Sequence, residues 1–293
     1  MKQRKLSKSL INSKAKGYVD RNPRLKGVVA LYRDTYSMQR RLSERVPDQL
    51  PHIDGAQISY RLQENELLVK PDELEIDLQL LRDIMKELGG ILIERSESPP
   101  RGLEDFLEKE LEDEDKLREL VEAFVNRDED GLSGCMDGYD IDPVILYLLL
   151  HNSLAPFYWK MAATLARKAD LDQLPSGTCP VCGDLPVMGF LRSEDGLRVL
   201  ECSLCGSRWG VPRMMCPFCK TMDQDKLSYI FADESPSSRA YLCDGCHKYI
   251  KIATLPGEMT EEIVIPLEDL ATLHLDQAAE ERGYERGCRT VFS

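Results

Sequence analysis

The cysteines are the residues whose type and spacing best suit chemistry. Eight of the ten fall between Cys179 and Cys246, as four Cys-x-x-Cys pairs: Cys179 and Cys182, Cys202 and Cys205, Cys216 and Cys219, Cys243 and Cys246. A Cys-x-x-Cys turn aims two sulfurs at one point, and two such turns supply the four thiolates of a tetrahedral metal site. Nineteen residues separate the first pair from the second, and 23 the third from the fourth; such spacing suits a zinc ribbon or a rubredoxin-type site. The pattern repeats at offsets of 37 residues (Cys179 to Cys216) and 41 (Cys202 to Cys243), which predicts two tandem metal-binding lobes. Local pairing is the natural assignment, with the first four cysteines in one site and the last four in the other. Crossed pairing stays open, although the ten residues between Cys205 and Cys216 make it less natural. Four sulfurs accept Zn²⁺ or a single iron, so the expected cofactors are two metal ions, iron or zinc. A structural zinc adds about 10–16 kcal/mol of apparent folding free energy, more than a lobe of this size draws from its own core. Gly183 and Gly206 directly follow their pairs, where the chain must turn tightly. Arg208, Arg213, Lys220, Lys248 and Lys251 lie near enough in sequence to offset the charge of a four-thiolate site.

The elements that hold these cysteines change character along the chain. Residues 1–174 read as a helical domain with a basic N-terminal arm (Lys2, Arg4, Lys5, Lys8, Lys14, Lys16). Leu74, Leu78, Leu81, Met85 and Leu88 lie on one helix face, with Pro71-Asp72 suited to its start and Gly89-Gly90 to its end. Leu103 to Phe124 carries a second apolar stripe, and Leu25, Val28, Tyr32 and Tyr36 a third. Asp142-Pro143 opens a further helix, apolar on all sides from Val144 to Leu150, which Pro156 is expected to kink or split. After the linker Leu174–Gly177 the texture becomes strand-like, at Val187–Leu191, Leu197–Glu201, Leu227–Phe231, Ala240–Leu242 and Tyr249–Thr254. Pro256-Gly257 closes that block, and Pro266–Arg282 reads as a terminal helix with Glu268 and Asp269 placed for its dipole. The fold class is therefore multi-domain α and β. An all-helical domain (1–174) precedes two tandem rubredoxin-like or zinc-ribbon lobes (175–213 and 214–256), then a C-terminal helix and tail (257–293).

Composition limits the partners. The chain has 293 residues, 38 Lys and Arg against 51 Asp and Glu, and a net charge of −13, so it repels nucleic acid and anionic membranes. Residues 175–256 hold nine basic and nine acidic residues and lack the basic stripe of a nucleic-acid ribbon. No apolar run approaches the roughly 20 residues of a membrane span, and the start lacks the apolar segment of a signal peptide. The expected compartment is the cytoplasm, where cysteines serve metals or catalysis rather than disulfides.

Other motifs have simpler readings. Cys243–His247 matches the haem-attachment string, but that chemistry needs export. Asn126–Gly131 resembles half of a calcium loop, yet its twelfth position is Asp137 rather than Glu; an acidic helix-ending loop explains it. Cys135, Cys288, His52, His151 and His274 have no partners at ligand spacing. No catalytic constellation is visible, and no catalytic residue is assigned.

The order of features resembles the FdhE family, the formate dehydrogenase accessory proteins. The resemblance rests on Cys179-Pro180-Val181-Cys182-Gly183, then Cys202–Cys205 with Trp209 and Arg213, then Cys216-Pro217-Phe218-Cys219. Cys243–Cys246 with Tyr249-Ile250-Lys251 follows, and then Asp269–Asp276 with Gly283-Tyr284. It implies a cytoplasmic protein required for active formate dehydrogenase, binding that enzyme's catalytic subunit during assembly, with all eight cysteines as metal ligands and iron discussed as the metal. Ser235-Pro236-Ser237-Ser238 departs from the pattern. The alternatives are a rubredoxin-like iron electron carrier or thiol oxidoreductase and, less favoured by charge, a zinc-ribbon nucleic-acid binder. The primary expectation is a non-enzymatic assembly factor with no nucleic acid and no stable membrane association.

Overall fold

The computed structural model describes residues 7–47, 53–136, 140–165, 168–172, 174, 176–232, 237–254 and 263–288. Lys2, Arg4, Lys5, His52, Asp137, Ser235-Pro236 and Pro256-Gly257 lie outside the described residues. The helices, in order, are α1 (Lys8–Arg21), α2 (Lys26–Ser43), α3 (Gly55–Gln63), α4 (Leu78–Arg95), α5 (Leu103–Asp105), α6 (Glu114–Asn126), α7 (Glu129–Met136), α8 (Pro143–Leu165), α9 (Ile265–Ala271) and α10 (Leu273–Glu280). The strands are β1 (Pro186–Leu191), β2 (Arg198–Cys202), β3 (Arg208–Val211), β4 (Leu227–Ile230), β5 (Ser238–Cys243), β6 (Lys248–Ala253) and β7 (Glu285–Arg286). Two compact units emerge: residues 1–29, 52–68 and 162–293 in one, and residues 30–51 and 69–161 in the other.

The second unit is helical. Its α4 starts later than the apolar stripe suggests, because Asp77 caps it by accepting from the Leu80 N–H at 2.9 Å. Leu74 therefore lies outside the helix. The helix also continues through Gly89-Gly90, where a Cβ on Gly89 would fall 2.3 Å from Leu107 Cδ1; this glycine serves close packing rather than termination. The second stripe is not one helix. A π-helical turn over Phe106–Glu110 separates α5 from α6, and Asp113 starts α6 afresh by accepting from the Lys116 N–H. Contrary to expectation, α8 runs unbroken through Pro156. Proline leaves the carbonyl four residues earlier without its helical donor, and the Gln39 amide supplies one, donating to Asn152 O at 2.7 Å. The loop 126–131 is a helix junction: Arg127 takes a left-handed cap and Asp128 accepts from the Gly131 N–H.

The first unit carries the sheet, in the order β3-β2-β1-β6-β5-β4, with β7 beside β6. Within each half the strands are antiparallel, and the halves join where β1 runs parallel to β6 through Gly189↔Ile252 and Phe190↔Ala253. The repeat in the sequence is thus two three-stranded lobes fused into one sheet. Strand β3 has no clear sequence signal; its Trp209 is fully buried and donates from Nε1 to Ser176 O at 2.9 Å. That bond, with Leu174 N–H to Gly210 O, ties the segment read as a linker to the sheet edge.

From Lys8 onward the segment read as a basic arm is the packed helix α1: Ser7 caps it, and Ile11 and Ala15 are buried. Its Tyr18 hydroxyl donates to Glu268. The C-terminal helix is two helices broken at Thr272. The cause lies in β6, where buried Lys251 donates to Asp269 O at 2.8 Å and pairs with Asp269 Oδ1 at 2.9 Å and Asp276 Oδ2 at 2.5 Å. Arg286 meets the same two carboxylates. Glu268 and Asp269 are accordingly buried partners rather than solvated helix-start charges, with Ser238 donating to Glu268 at 2.8 Å. Helix α10 places Leu275 and Ala279 on Ala240, Leu242 and Tyr249, covering one face of the second lobe. Among the described residues no helix is long and apolar enough to cross a membrane.

Candidate metal centres

The eight cysteines form two groups, each with all four sulfurs within 4.8 Å of one another: Cys179, Cys182, Cys202 and Cys205, and Cys216, Cys219, Cys243 and Cys246. The grouping is the local one. In the first, Cys179 Sγ lies 3.5 Å from Cys205 Sγ, and Cys182 Sγ 3.4 Å from Cys202 Sγ. In the second, Cys216 Sγ lies 3.7 Å from Cys246 Sγ, and Cys219 Sγ 3.6 Å from Cys243 Sγ. A disulfide would need roughly 2 Å. Four sulfurs each about 2.3 Å from one tetrahedral ion stand about 3.8 Å apart, so the donor set fits a zinc or iron ion in both groups.

Each group is built from two knuckles on hairpin ends. Cys202 and Cys243 close β2 and β5, while the other knuckle precedes β1 or β4. The turn after each pair needs a left-handed residue: Gly183 (φ +77°), Gly206 (+66°), Lys220 (+60°) and His247 (+54°). Glycine takes this conformation freely and other residues pay a steric cost. Backbone N–H groups close the turns onto the first cysteine: Gly183 onto Cys179 O at 2.7 Å, Lys220 onto Cys216 O at 2.9 Å and His247 onto Cys243 O at 2.8 Å. In the first lobe Ser203 Oγ donates to Asp184 Oδ2 at 2.8 Å and locks the knuckles together. In the second, the Asp244 N–H donates to Lys226 O at 2.9 Å, and the Tyr284 hydroxyl donates to Asp244. Gly177 sits flush against the second lobe, where a Cβ would fall 1.4 Å from Pro217 O.

Exposure separates the two groups. All four sulfur-bearing residues of the first are buried, whereas Cys219 is exposed and Cys246 half-buried. Burial pushes the Cys179 and Cys202 thiols well up. Burial also resists ionisation of Cys182, but hydrogen bonds from its three neighbours outweigh it and hold that thiol well below its usual range. In the second group burial raises Cys216 and Cys246; at Cys219 the Thr221 N–H and the neighbouring thiols overcome it. Burial thus opposes thiolate formation in both clusters, and a bound cation is what would let four thiolates coexist.

Of the five bases expected to neutralise the clusters, two are engaged elsewhere: Arg208 with Glu201 at 2.6 Å, and Lys251 in its carboxylate network. Lys220 occupies a turn. Arg213 and Lys248 line a cavity beside Cys216 and Cys243. Outside the clusters, Cys288 is buried and its thiol pushed up to about 12 by that burial. His151 stacks against Tyr147. Sequence reading missed Asp184 and the knuckle-bridging role of Ser203, and it gave no sign that Trp209 anchors the sheet edge. The left-handed backbone of Lys220 and His247 left a trace only in the position they share with Gly183 and Gly206.

Residues 178–213 match the family model described as FdhE, central domain, and residues 214–292 match FdhE, C-terminal domain. Over residues 178–292 the chain is thus similar to the FdhE family. Protein FdhE of Escherichia coli (strain K12) is 36% identical over 150 residues, which is 47% of each chain. A Protein FdhE homolog of Pectobacterium atrosepticum is 35% identical over 156 residues, 48% of each. The matched region thus spans about half of these relatives. The crystal structure of the FdhE protein from Pseudomonas aeruginosa superposes with a TM-score of 0.63 over 99% of this chain and 97% of that one, at 21% identity; the fold is shared.

Proposed function

We propose that this chain is a cytoplasmic accessory factor for formate dehydrogenase, binding the enzyme's catalytic subunit through its double four-cysteine region. Each cluster holds one ion, iron or zinc, with Cys179, Cys182, Cys202 and Cys205 as one ligand set and Cys216, Cys219, Cys243 and Cys246 as the other. The observation that carries the reading is the uninterrupted match of residues 178–292 to the two FdhE domains, with both sulfur clusters assembled inside it. The sequence division into a helical region to 174, lobes over 175–213 and 214–256, and a C-terminal segment from 257 is retained as the working domain scheme. In this reading the chain is not itself a catalyst; the ions shape two lobes into a platform for another protein.

The test is complementation of a strain lacking its own FdhE with chains carrying Cys202→Ser and Cys205→Ser together. Formate dehydrogenase activity should be lost while the soluble protein persists on an immunoblot, and the purified wild type should carry two metal ions per chain. Retained activity with the protein still soluble would defeat the reading. The exposure of Cys219 favours one rival, an iron electron carrier. A colourless, zinc-only sample purified without oxygen would dismiss it.

A further inference from the structure

The sheet face of the second lobe opposite α10 is not covered in the same way. It borders a cavity of about 270 Å³. Four cations line it, Arg198, Arg213, Arg239 and Lys248, and no Asp or Glu is among the described lining residues. In a chain of net charge −13, such a pocket is a local reversal of sign. Arg198 is 3% exposed; its Nη1 donates to Met215 O at 2.8 Å, and its buried Nε has no hydrogen-bond partner among the described residues. A buried guanidinium donor left open is costly and points to an acceptor supplied from outside.

The walls between the cations are aromatic. Arg198 lies over the Tyr241 ring at 4.7 Å and Arg239 over Tyr229 at 4.5 Å. Tyr229 pairs with Tyr241 at 5.7 Å and with Phe231 at 6.5 Å. Six large apolar side chains stand exposed among the described residues. Four of them, Met214, Met222, Tyr229 and Phe231, belong to this lobe. Strand β4, which carries Tyr229, ends the sheet order and pairs with β5 alone among the described strands. An edge strand with exposed apolar side chains accepts extended peptides.

We infer that this cavity and the β4 edge form a docking site for an extended protein segment in which acidic and apolar residues alternate. Carboxylates enter among the arginines, where bidentate pairing is available, and apolar side chains cover Tyr229 and Phe231. Charge complementarity selects this occupant over single-stranded nucleic acid, since four cations in a strongly acidic chain make no continuous stripe for a phosphate backbone. The inference deepens the proposed function by naming the surface and the chemistry of the contacting segment, and it rests on that reading only for the partner's identity.

The test uses the full-length, metal-loaded chain and a fluorescein-labelled peptide of alternating aspartate and leucine, measured by anisotropy. A peptide with asparagine for aspartate, a mixed-sequence single-stranded oligonucleotide and the purified formate dehydrogenase catalytic subunit are run in parallel. The aspartate peptide should bind at least about tenfold more tightly than its asparagine counterpart. Arg213→Glu with Arg239→Glu should remove that binding, while Lys109→Glu with Arg118→Glu, an equal charge change at exposed helical positions, should leave it. Overlapping circular dichroism melts confirm that the variants fold. The inference is overturned if both peptides bind alike, if neither binds, if the helical control loses binding equally, or if the oligonucleotide binds more tightly. The catalytic subunit reports separately: peptide binding without subunit binding defeats the partner assignment and leaves the site standing.

Discussion

Replacing Lys251 by Met tests whether the buried ion network holds the second lobe to its C-terminal helices. The side chain is 1% exposed and contacts two carboxylates, Asp269 at 2.9 Å and Asp276 at 2.5 Å. Arg286 contacts both as well, at 2.5 and 3.2 Å. Two cations thus face two anions, and the network is neutral. Methionine preserves the stem but leaves one uncompensated negative charge, and it removes one of the donors to Asp269 O, leaving those of Thr272. Breaking a buried pair from one side costs about 3–5 kcal/mol; with Arg286 still in place, a loss near 3 kcal/mol is expected. The exposed Arg118–Glu114 pair on α6 should cost only about 0.3–0.5 kcal/mol when broken. Adding Asp276→Asn to Lys251→Met restores charge balance, so the double change should cost less than the sum of its parts.

The pH dependence sharpens this prediction. Burial pulls the Asp269 carboxyl upward, but Lys251 and Arg286 outweigh it and hold it below the ordinary carboxylate range. A group depressed on folding contributes stability above its unfolded value of about 3.9, and that stability is lost as pH falls through the folded value. The wild-type contribution is therefore flat through the neutral range. Without Lys251 the pull of burial is opposed by Arg286 alone, and Asp269 takes up its proton at a higher pH. The deficit of the variant should be largest at neutral pH and shrink on acidification. Urea unfolding of metal-loaded protein, with amide exchange of β6 and α10 as the local readout, measures both. A loss below about 1 kcal/mol, or a deficit that grows toward acid pH, would refute the role given to the network.

Two further outcomes are expected. Metal removal by a chelator should be biphasic, because Cys219 exposes the second cluster while the first is wholly buried; Cys219→Ser should abolish the fast phase, and a single phase releasing both ions would contradict the assignment. The neighbours Gly89 and Gly90 should respond oppositely to alanine. Gly90 has nothing within 4 Å of a built Cβ and should gain about 1 kcal/mol of helix stability. Gly89 would press a Cβ against Leu107 and should lose about 1–3 kcal/mol; thermal melts of the two single variants decide it.

What the sequence made legible follows from how local each signal is. The knuckles are complete within four residues, so their positions and their tandem repeat were readable, as were five strands with apolar runs. Strand β3 was not, because Arg208-Trp209-Gly210-Val211 has no apolar run and is defined by its ladder to β2. The fusion of the lobes through β1 and β6 joins residues far apart in the chain and leaves no periodic trace. Helix ends were misplaced where a side chain overrode the stripe, as Asp77 did at α4. The same held where a distant group supplied a missing partner, as Gln39 did for the carbonyl freed by Pro156. Glu268, Asp269 and Lys251 were recognisable as charges, but the burial of Lys251 and Asp269 depends on each other, and that of Glu268 on Tyr18 and Ser238.

The two lobes repeat a plan and then diverge in a consistent direction. In the first, both knuckle turns use glycine, the sulfurs are sealed, Trp209 anchors the edge strand and Ser203 bridges the knuckles. In the second, Lys220 and His247 hold left-handed backbone at a steric cost, Cys219 reaches the surface, and Met214, Met222, Tyr229 and Phe231 stand exposed. Strain and exposed apolar surface both lower stability, and they persist where something else selects for them. A lobe whose task were only to complete a core would be expected to match the economy of its twin. The divergence is what the docking site proposed above requires: a sealed first lobe, and a second lobe with open apolar surface at the β4 edge.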